Sequence, residues 1–399
     1  MFRGLSVAAV SLLVGLLPGP ASGDVSVNQI FPVPASGTFT LTGHGYGHGH
    51  GMSQYGAQGA ALQGKTWLDI VRFYYPGTAL DTNTRLVKVL ISGDTTRDVV
   101  VSARSGLRLR DTGTRENLLL PDNGATLWRL NVAEGGRTVA AFHRSGRWRR
   151  WRVLAGDGWL SAGGRPMRLH YAGTSREYRG HLVAARPRAG STDRDTVNIL
   201  WLDDYLKGVV PREMPASWKP HAVRAQAVAA RTYASYELQH PRARHYQLCD
   251  TTSCQVYGGY SAEDARSNDA VVRTAGRILT SGGEPAFTQF SSSSGGWTAA
   301  NQFSYLPAQE DPYDGWTGNR NHTWTRTIDV AQVERLWPGV GNLREIRVTS
   351  RDGNGQWRGR VARLTLRGSK GDVAISGNTF RSRLGLKSTW WAVTATRAS

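Results

Sequence analysis

Acidic residues are the scarce class in this chain. Against 49 lysines and arginines stand 30 aspartates and glutamates, a net charge of +19 over 399 residues. That balance excludes an acidic solvating tail and points to polyanionic partners. Cysteine is scarcer still, with two residues, Cys249 and Cys254. A disulfide-dense scaffold and a four-thiolate zinc site are both excluded. Long apolar runs are missing after the N-terminus, so a bundle of membrane-spanning helices is excluded as well. No segment repeats, which removes solenoids. No G-x-S-x-G turn occurs, which argues against a serine hydrolase of that type.

What is present is a globular composition. Hydrophobic residues make up 40%, too many for a disordered chain. The 47 glycines follow no collagen period and separate many short alternating runs, which favours turn-rich β structure. Residues 1–23 carry Arg3, an apolar stretch from Val7 to Leu17, and "ASG" before Asp24. This reads as a secretory signal peptide and predicts a secreted, wall-associated protein away from nucleic acid. The polyanions within its reach would then be cell-wall polymers.

The chain reads in five parts: the signal peptide, a linker over 24–42, a Gly/His loop and helical unit over 43–84, a β-rich inserted region over 85–177, and a larger domain over 178–399. Thr66 is the expected cap of a helix through "WLDIVRFYY" that stops before Pro76-Gly77. "WRLNV" and "MRLHY" alternate as strands. "RWRRWR", 147–152, reads as a strand with one solvated basic face, or as a wall-binding strip. "PHAVRAQAVAARTYASYELQ", 220–239, is the strongest helix. Pro220 sits in its first turn, and alanine or valine covers nearly every face, so it should be buried. A further helix in "SAEDARSNDAVVRTAG" has Ser261 as its expected cap, and "EIRVTS", "VARLTLRG" and "DVAISG" read as strands. The expected class is α+β, strand-rich and multi-domain, with a buried Ala-rich helix after the candidate acid.

That acid is Glu213 in "VVPREMPASW", set between Pro211 and Pro215. Each proline restricts itself and its predecessor, so the carboxyl is held stiffly. One acid kept partly dry can protonate a glycosidic oxygen. The competing reading is a structural ion pair with Arg212 or Arg231. "GHGYGHGHG" offers His44, His48 and His50 on flexible backbone, as a sugar-contacting loop, as a purely structural one, or as a metal site that no acid or thiol adjoins. "FSSSSGGWTAA" offers Ser292, Ser293, Ser294, Gly295, Gly296 and Thr298, groups that suit a polysaccharide. Asp311 and Asp314 are either a second carboxylate or turn acids. Cys249 and Cys254 flank "DTTS" and are expected to form a disulfide. A metal clip with His245 is the alternative, and it lacks a fourth ligand.

Together "VNILWLDDYLKGVVPREMPASW", "AVRAQAVAARTYA", "CDTTSCQVYGGY", "SSSSGGWTAA" and "FRSRLGLKSTWW" resemble the stage II sporulation protein D and amidase-enhancer family over roughly 178–393. The resemblance implies a peptidoglycan lytic transglycosylase with Glu213 as acid and base and Arg231 beside it. Gln226, the 292–298 loop, His48, His50, Ser53 and Gln54 would then line a glycan groove. Some relatives bind zinc with histidines and cysteines around the cysteine loop; with Ser253 before Cys254 and no fourth ligand, zinc is not carried over, and no cofactor or metal is expected. The partners implied are glycan strands and anionic wall polymers. The alternative is a non-catalytic enhancer of an N-acetylmuramoyl-L-alanine amidase. The family's "GHGxGMSQYGA" motif, common near the C-terminal end, stands here at 44–57. If the fold is kept, residues 43–80 must pack beside the Glu213 segment.

Overall fold

The structure, a computed structural model, describes residues 23–394. The signal-peptide reading of residues 1–23 falls almost wholly outside them. The described residues are strand-rich α+β, and no helix among them is long and apolar enough to cross a membrane. They divide into two compact units, 44–324 and the joined segments up to 43 and from 325 onward.

The larger unit contains five α-helices: α1 (Gln54–Leu62), α2 (Trp67–Tyr74), α3 (Leu202–Glu213), α4 (Pro220–Gln239) and α5 (Ala265–Arg273). Helix α2 starts as its sequence demands. The Thr66 hydroxyl accepts the Asp69 N–H, and the Asp69 carboxylate accepts the Thr66 N–H in return. Helix α4 is buried along almost its whole length, because an Ala/Val helix has no polar face to give to water. Helices α1, α2, α3 and α5 surround it.

Two large antiparallel-rich sheets lie in this unit, beside a three-stranded and a two-stranded one. A six-stranded sheet runs Arg147–Val153, Thr138–Arg144, Leu127–Val132, Val99–Ser102, Met167–Tyr171, Thr174–Tyr178. A seven-stranded sheet runs Leu248–Cys249, Leu86–Leu90, Asp195–Trp201, His181–Ala185, Gly158–Ser161, Arg108–Asp111, Asn117–Leu119. Alternate residues of both sheets, such as Val101, Leu130 and Leu169 from one and Leu109, Leu160 and Leu182 from the other, join the helices in a single apolar core. "RWRRWR" lies on an edge strand of the six-stranded sheet. Trp151 packs inward on Trp128, while Arg147, Arg149 and Arg150 face solvent.

The smaller unit holds a four-stranded antiparallel sheet, Val25–Pro32, Leu343–Arg351, Val361–Gly368, Asp372–Ser376, with helices Val330–Leu336 and Gly377–Leu384. Thr38–His44 pairs with Trp391–Val393.

Three expectations need correction. Residues 24–42 are not a linker but two strands. The prolines and glycine that suggested a linker sit at strand ends and in the turn between, while "VSVNQIF" carries a period-two pattern. Residues 85–177 are not a separable insertion. Strand Leu86–Leu90 pairs with Asp195–Trp201 and Leu248–Cys249, so the sheet crosses the expected boundary. Ser261 does not cap α5. Asp264 does, its carboxylate accepting the Arg266 N–H, while the Ser261 hydroxyl accepts the Glu177 N–H. Both residues have capping chemistry, and packing on the neighbouring strand chose between them.

Candidate active site

Glu213 is the last residue of α3, and the two prolines put it there. Pro211 lies in the final turn, where it withholds the N–H that would bond the carbonyl four residues back and so weakens the helix as it ends. Pro215 drives Met214 out of the helical region, to φ −136° and ψ 139°, and the helix ends one residue earlier. The unpaired carbonyls of a helix C-terminus carry partial negative charge, so they disfavour an ionised acid at that end.

The Glu213 carboxyl is largely buried, and one oxygen accepts the Val256 N–H at 2.8 Å. Burial pushes its pKa up, and the Val256 N–H and the Arg212 charge pull back only in part. The net direction is upward, toward a carboxyl that keeps its proton at higher pH.

The Val256 N–H is aimed by the docking of the cysteine loop on α3. Cys249 and Cys254 are joined in a disulfide, their Cα atoms 5.5 Å apart. Gly258 donates to the Gly208 carbonyl at 3.0 Å, and the Tyr257 ring packs against Gly208. A Cβ on Gly208 would meet that ring at 2.6 Å, so glycine is required for the close approach. The Tyr257 hydroxyl donates to Asn198, and Gln255 bridges the Tyr205 hydroxyl to the Ala230 carbonyl. The other pairing for the thiols, a metal clip, is displaced: His245 bonds Asp195 instead.

In front of Glu213 lies a cavity of about 320 Å³. The cysteine loop supplies one wall through Thr252, Ser253 and Cys254. Phe287 and Phe290 supply an apolar wall beside Tyr233, and His48 and Gln289 close the rim. Arg242 lines it too, tied to Glu237 and to the Tyr233 hydroxyl. Apolar rings with convergent polar groups suit the alternating faces of a sugar. Among the described residues, no second carboxylate lines this cavity.

His48 belongs to the segment expected to return beside Glu213, and it does so. Helices α1 and α2 both pack on α4, and the Gln58 side chain accepts the Lys219 N–H. His50 does not line the cavity. Its ring stacks on His48 and bonds the Ala299 carbonyl, so it supports the loop.

Arg231 is not beside Glu213. It is completely buried, with its Nε on Asp203 at 2.7 Å and its other nitrogens on Thr274 and the carbonyls of Val271 and Arg277. Seven residues along α4 from Arg224 did place both arginines toward α5, where Arg224 reaches Asp269 at 3.6 Å. The guanidinium therefore ties α3 to α5 and touches neither the acid nor the cavity.

The serine loop is likewise turned inward. The hydroxyls of Ser53 and Ser293 donate to Asp314, and that of Ser294 donates to Asp311 at 2.7 Å. Gly295 N–H also reaches Asp314, and Gly296 backs the His322 ring. Thr298 donates to the Pro307 carbonyl. Gln54 and Gln226 face each other in the interior at 3.4 Å. Ser292 is half-exposed and outside the cavity. Asp311 and Asp314 are thus neither turn acids alone nor a second catalytic carboxylate. They collect the hydroxyls of two distant loops. The groups that do line the cavity, Tyr233, Arg242, Phe287, Gln289 and Phe290, carried no local pattern, and the Val256 donor is backbone and so invisible in side-chain types.

Residues 191–281 match the family model described as Stage II sporulation protein. The chain is 39% identical over 143 residues to the Amidase enhancer of Bacillus subtilis (strain 168), covering 33% of this chain and 19% of that protein. It is 29% identical over 226 residues to Stage II sporulation protein D of Bacillus amyloliquefaciens, covering 49% and 61%. The Bacillus subtilis (strain 168) Stage II sporulation protein D is 30% identical over 169 residues, covering 36% and 48%. Residues 191–281 are thus similar to the stage II sporulation protein family, and parts of the chain are similar to proteins named Stage II sporulation protein D and Amidase enhancer. The chain spans between a fifth and three-fifths of the lengths of these relatives.

Proposed function

We propose that this protein is a cell-wall lytic transglycosylase that cleaves peptidoglycan glycan strands with Glu213 as its acid and base. The observation that carries the reading is a carboxyl with a raised pKa at a helix C-terminus, facing a sugar-sized cavity with one N–H donor and no ion-pair partner. A protonated Glu213 gives its proton to the glycosidic oxygen as the C1–O bond breaks. The carboxylate left behind then takes the proton of the muramic C6 hydroxyl as that oxygen bonds to C1. The product is a 1,6-anhydro end, and Glu213 is protonated again. One carboxyl suffices because the substrate supplies its own nucleophile, which accords with a cavity holding a single acid.

Export through residues 1–23 and retention on an anionic wall by the excess of basic residues belong to the same reading. A second reading, a non-catalytic enhancer of a cell-wall amidase, is supported by the similarity to the protein named Amidase enhancer. It uses the same cavity for binding without turnover.

Purified protein incubated with denuded glycan strands is expected to release anhydro-muramic ends, seen by mass spectrometry. Glu213→Gln should lower the rate by about 10²–10⁴-fold. Equal release by the variant would end the transglycosylase reading. No release by either form, with stimulation of a purified amidase, would establish the enhancer.

A further inference from the structure

A second cavity, of about 340 Å³, opens on the outer face of the seven-stranded sheet. Its floor is a small apolar cluster of Val183, Ala185, Val197 and Ile199, separate from the main core, with Trp159 packed against it. Those residues alternate with the core-facing Leu182, Ala184, Asn198 and Leu200 on the same strands. An apolar outer face on a sheet of this kind is normally either covered or used.

The rim is cationic. Lys88, Arg186, Arg188, Arg244 and His245 all line the cavity. Arg186 is neutralised, its Nε on Asp157 at 2.7 Å, an acid that also lines the cavity, and the His245 Nε2 bonds Asp195 at 2.6 Å. Lys88, Arg188 and Arg244 reach no acid among the described residues. The Nδ1 of His245 is buried without a hydrogen-bond partner, although its side chain is only 13% exposed. A buried polar atom without a partner is costly, and with Nε2 on Asp195 the Nδ1 can accept from a hydroxyl of a bound sugar or polyol.

We propose that this cavity binds an anionic group, phosphate or carboxylate, carried on a sugar or polyol polymer. Arg188 and Arg244 supply fork-shaped donors for the oxygens, and Lys88 supplies a point charge. Trp159 and the apolar floor take the carbon face of the polymer unit. The site is carried on the same chain segment as the Glu213 cavity. Arg242 lines that cavity, Arg244 and His245 line this one, and Thr252 to Val256 return to the first. A polymer held here is thereby held by the segment that aims the Val256 N–H. The proposal concerns binding and stands apart from whether Glu213 turns over a glycan.

The test measures binding of the full-length protein by calorimetry to three probes: poly(glycerol phosphate), a disaccharide bearing a stem peptide with free carboxylates, and a neutral chitooligosaccharide. The variant R188Q/R244Q is compared with R147Q/R149Q, which removes equal charge from the edge strand. Both should match the parent in circular dichroism and melting midpoint, because all four side chains are exposed. R188Q/R244Q is expected to weaken an anionic probe by at least about tenfold. R147Q/R149Q should weaken it by less than about threefold, as screened surface charge does. Lys88→Gln, on a different strand, should act in the same direction as R188Q/R244Q. Loss confined to the phosphate polymer assigns phosphate, and loss confined to the stem-bearing disaccharide assigns carboxylate. Equal weakening by both double variants, unchanged binding by R188Q/R244Q, or no binding of either anion by the parent overturns the proposal.

Discussion

Glu213 and Asp314 are both largely buried, and their pKa values move in opposite directions. Burial alone pushes each carboxyl up. Glu213 receives one backbone N–H, and its value stays raised. Asp314 receives the hydroxyls of Ser53 and Ser293, the N–H groups of Ser294 and Gly295, the Asn319 amide and the His322 ring. Those donors outweigh burial, and its value falls below the ordinary range. Its neighbour Asp311 is pushed up to about 6 by burial first and by the Asp314 charge beside it second, with fewer donors to pull it back. Burial therefore does not make a proton donor. A donor is made by burying a carboxyl while withholding the hydrogen bonds that would favour its charge. The Asp314 region is a clasp between loops, and Glu213 is the donor-poor acid on which the proposed proton transfer rests.

The sharpest way to break this contrast is to empty the clasp. Asp314→Ala leaves buried hydroxyls, N–H groups and the His322 ring without their shared acceptor. Denaturant unfolding should show a loss of about 3–5 kcal/mol. A loss under about 1 kcal/mol would mean that the clasp contributes little. Next comes Arg231, assigned here to scaffold. Arg231→Lys keeps the charge facing Asp203 but forfeits the fork that also serves Thr274, Val271 and Arg277. It should cost about 2 kcal/mol of stability while leaving the pH profile of the proposed glycan cleavage unmoved. A shifted profile would return Arg231 to the neighbourhood of the acid.

The smallest expected effect concerns Glu213 itself. Its folded-state pKa is raised, so between the unfolded and folded values the native state binds more protons than the unfolded state. Stability then falls as pH rises through that window. Glu213→Gln removes the penalty, so its melting midpoint should exceed the parent's at pH 7. The difference should vanish below the ordinary glutamate range, where both states are protonated. A variant less stable than the parent at pH 7 would contradict a strained, donor-poor acid.

Much of this contrast was legible in residue order, and the rest was not. "PREMP" located the rigid acid because proline acts on its immediate neighbours, and the same rule explains why α3 stops at Glu213. The Thr66 cap and the buried Ala/Val helix α4 followed from spacing within one turn or one face. The serine loop was misread because hydroxyls suit a sugar and a buried carboxylate equally well. Asp311 and Asp314 lie close behind that loop, but Ser53 arrives from 261 residues away. Arg231 was misplaced for a related reason. Helical periodicity gave its face but not the helix that face would meet.

By itself, the sequence determined the local conformations: where helices begin and end, which faces are apolar, and that one glutamate is clamped by its own backbone. Those follow from torsional and steric rules acting over a few residues. Only the tertiary structure decided which acid stays poor in donors and which is saturated, because hydrogen-bond donors arrive from segments far apart in the chain. A carboxyl's proton affinity is a property of its surroundings, and the surroundings exist only once the chain has folded.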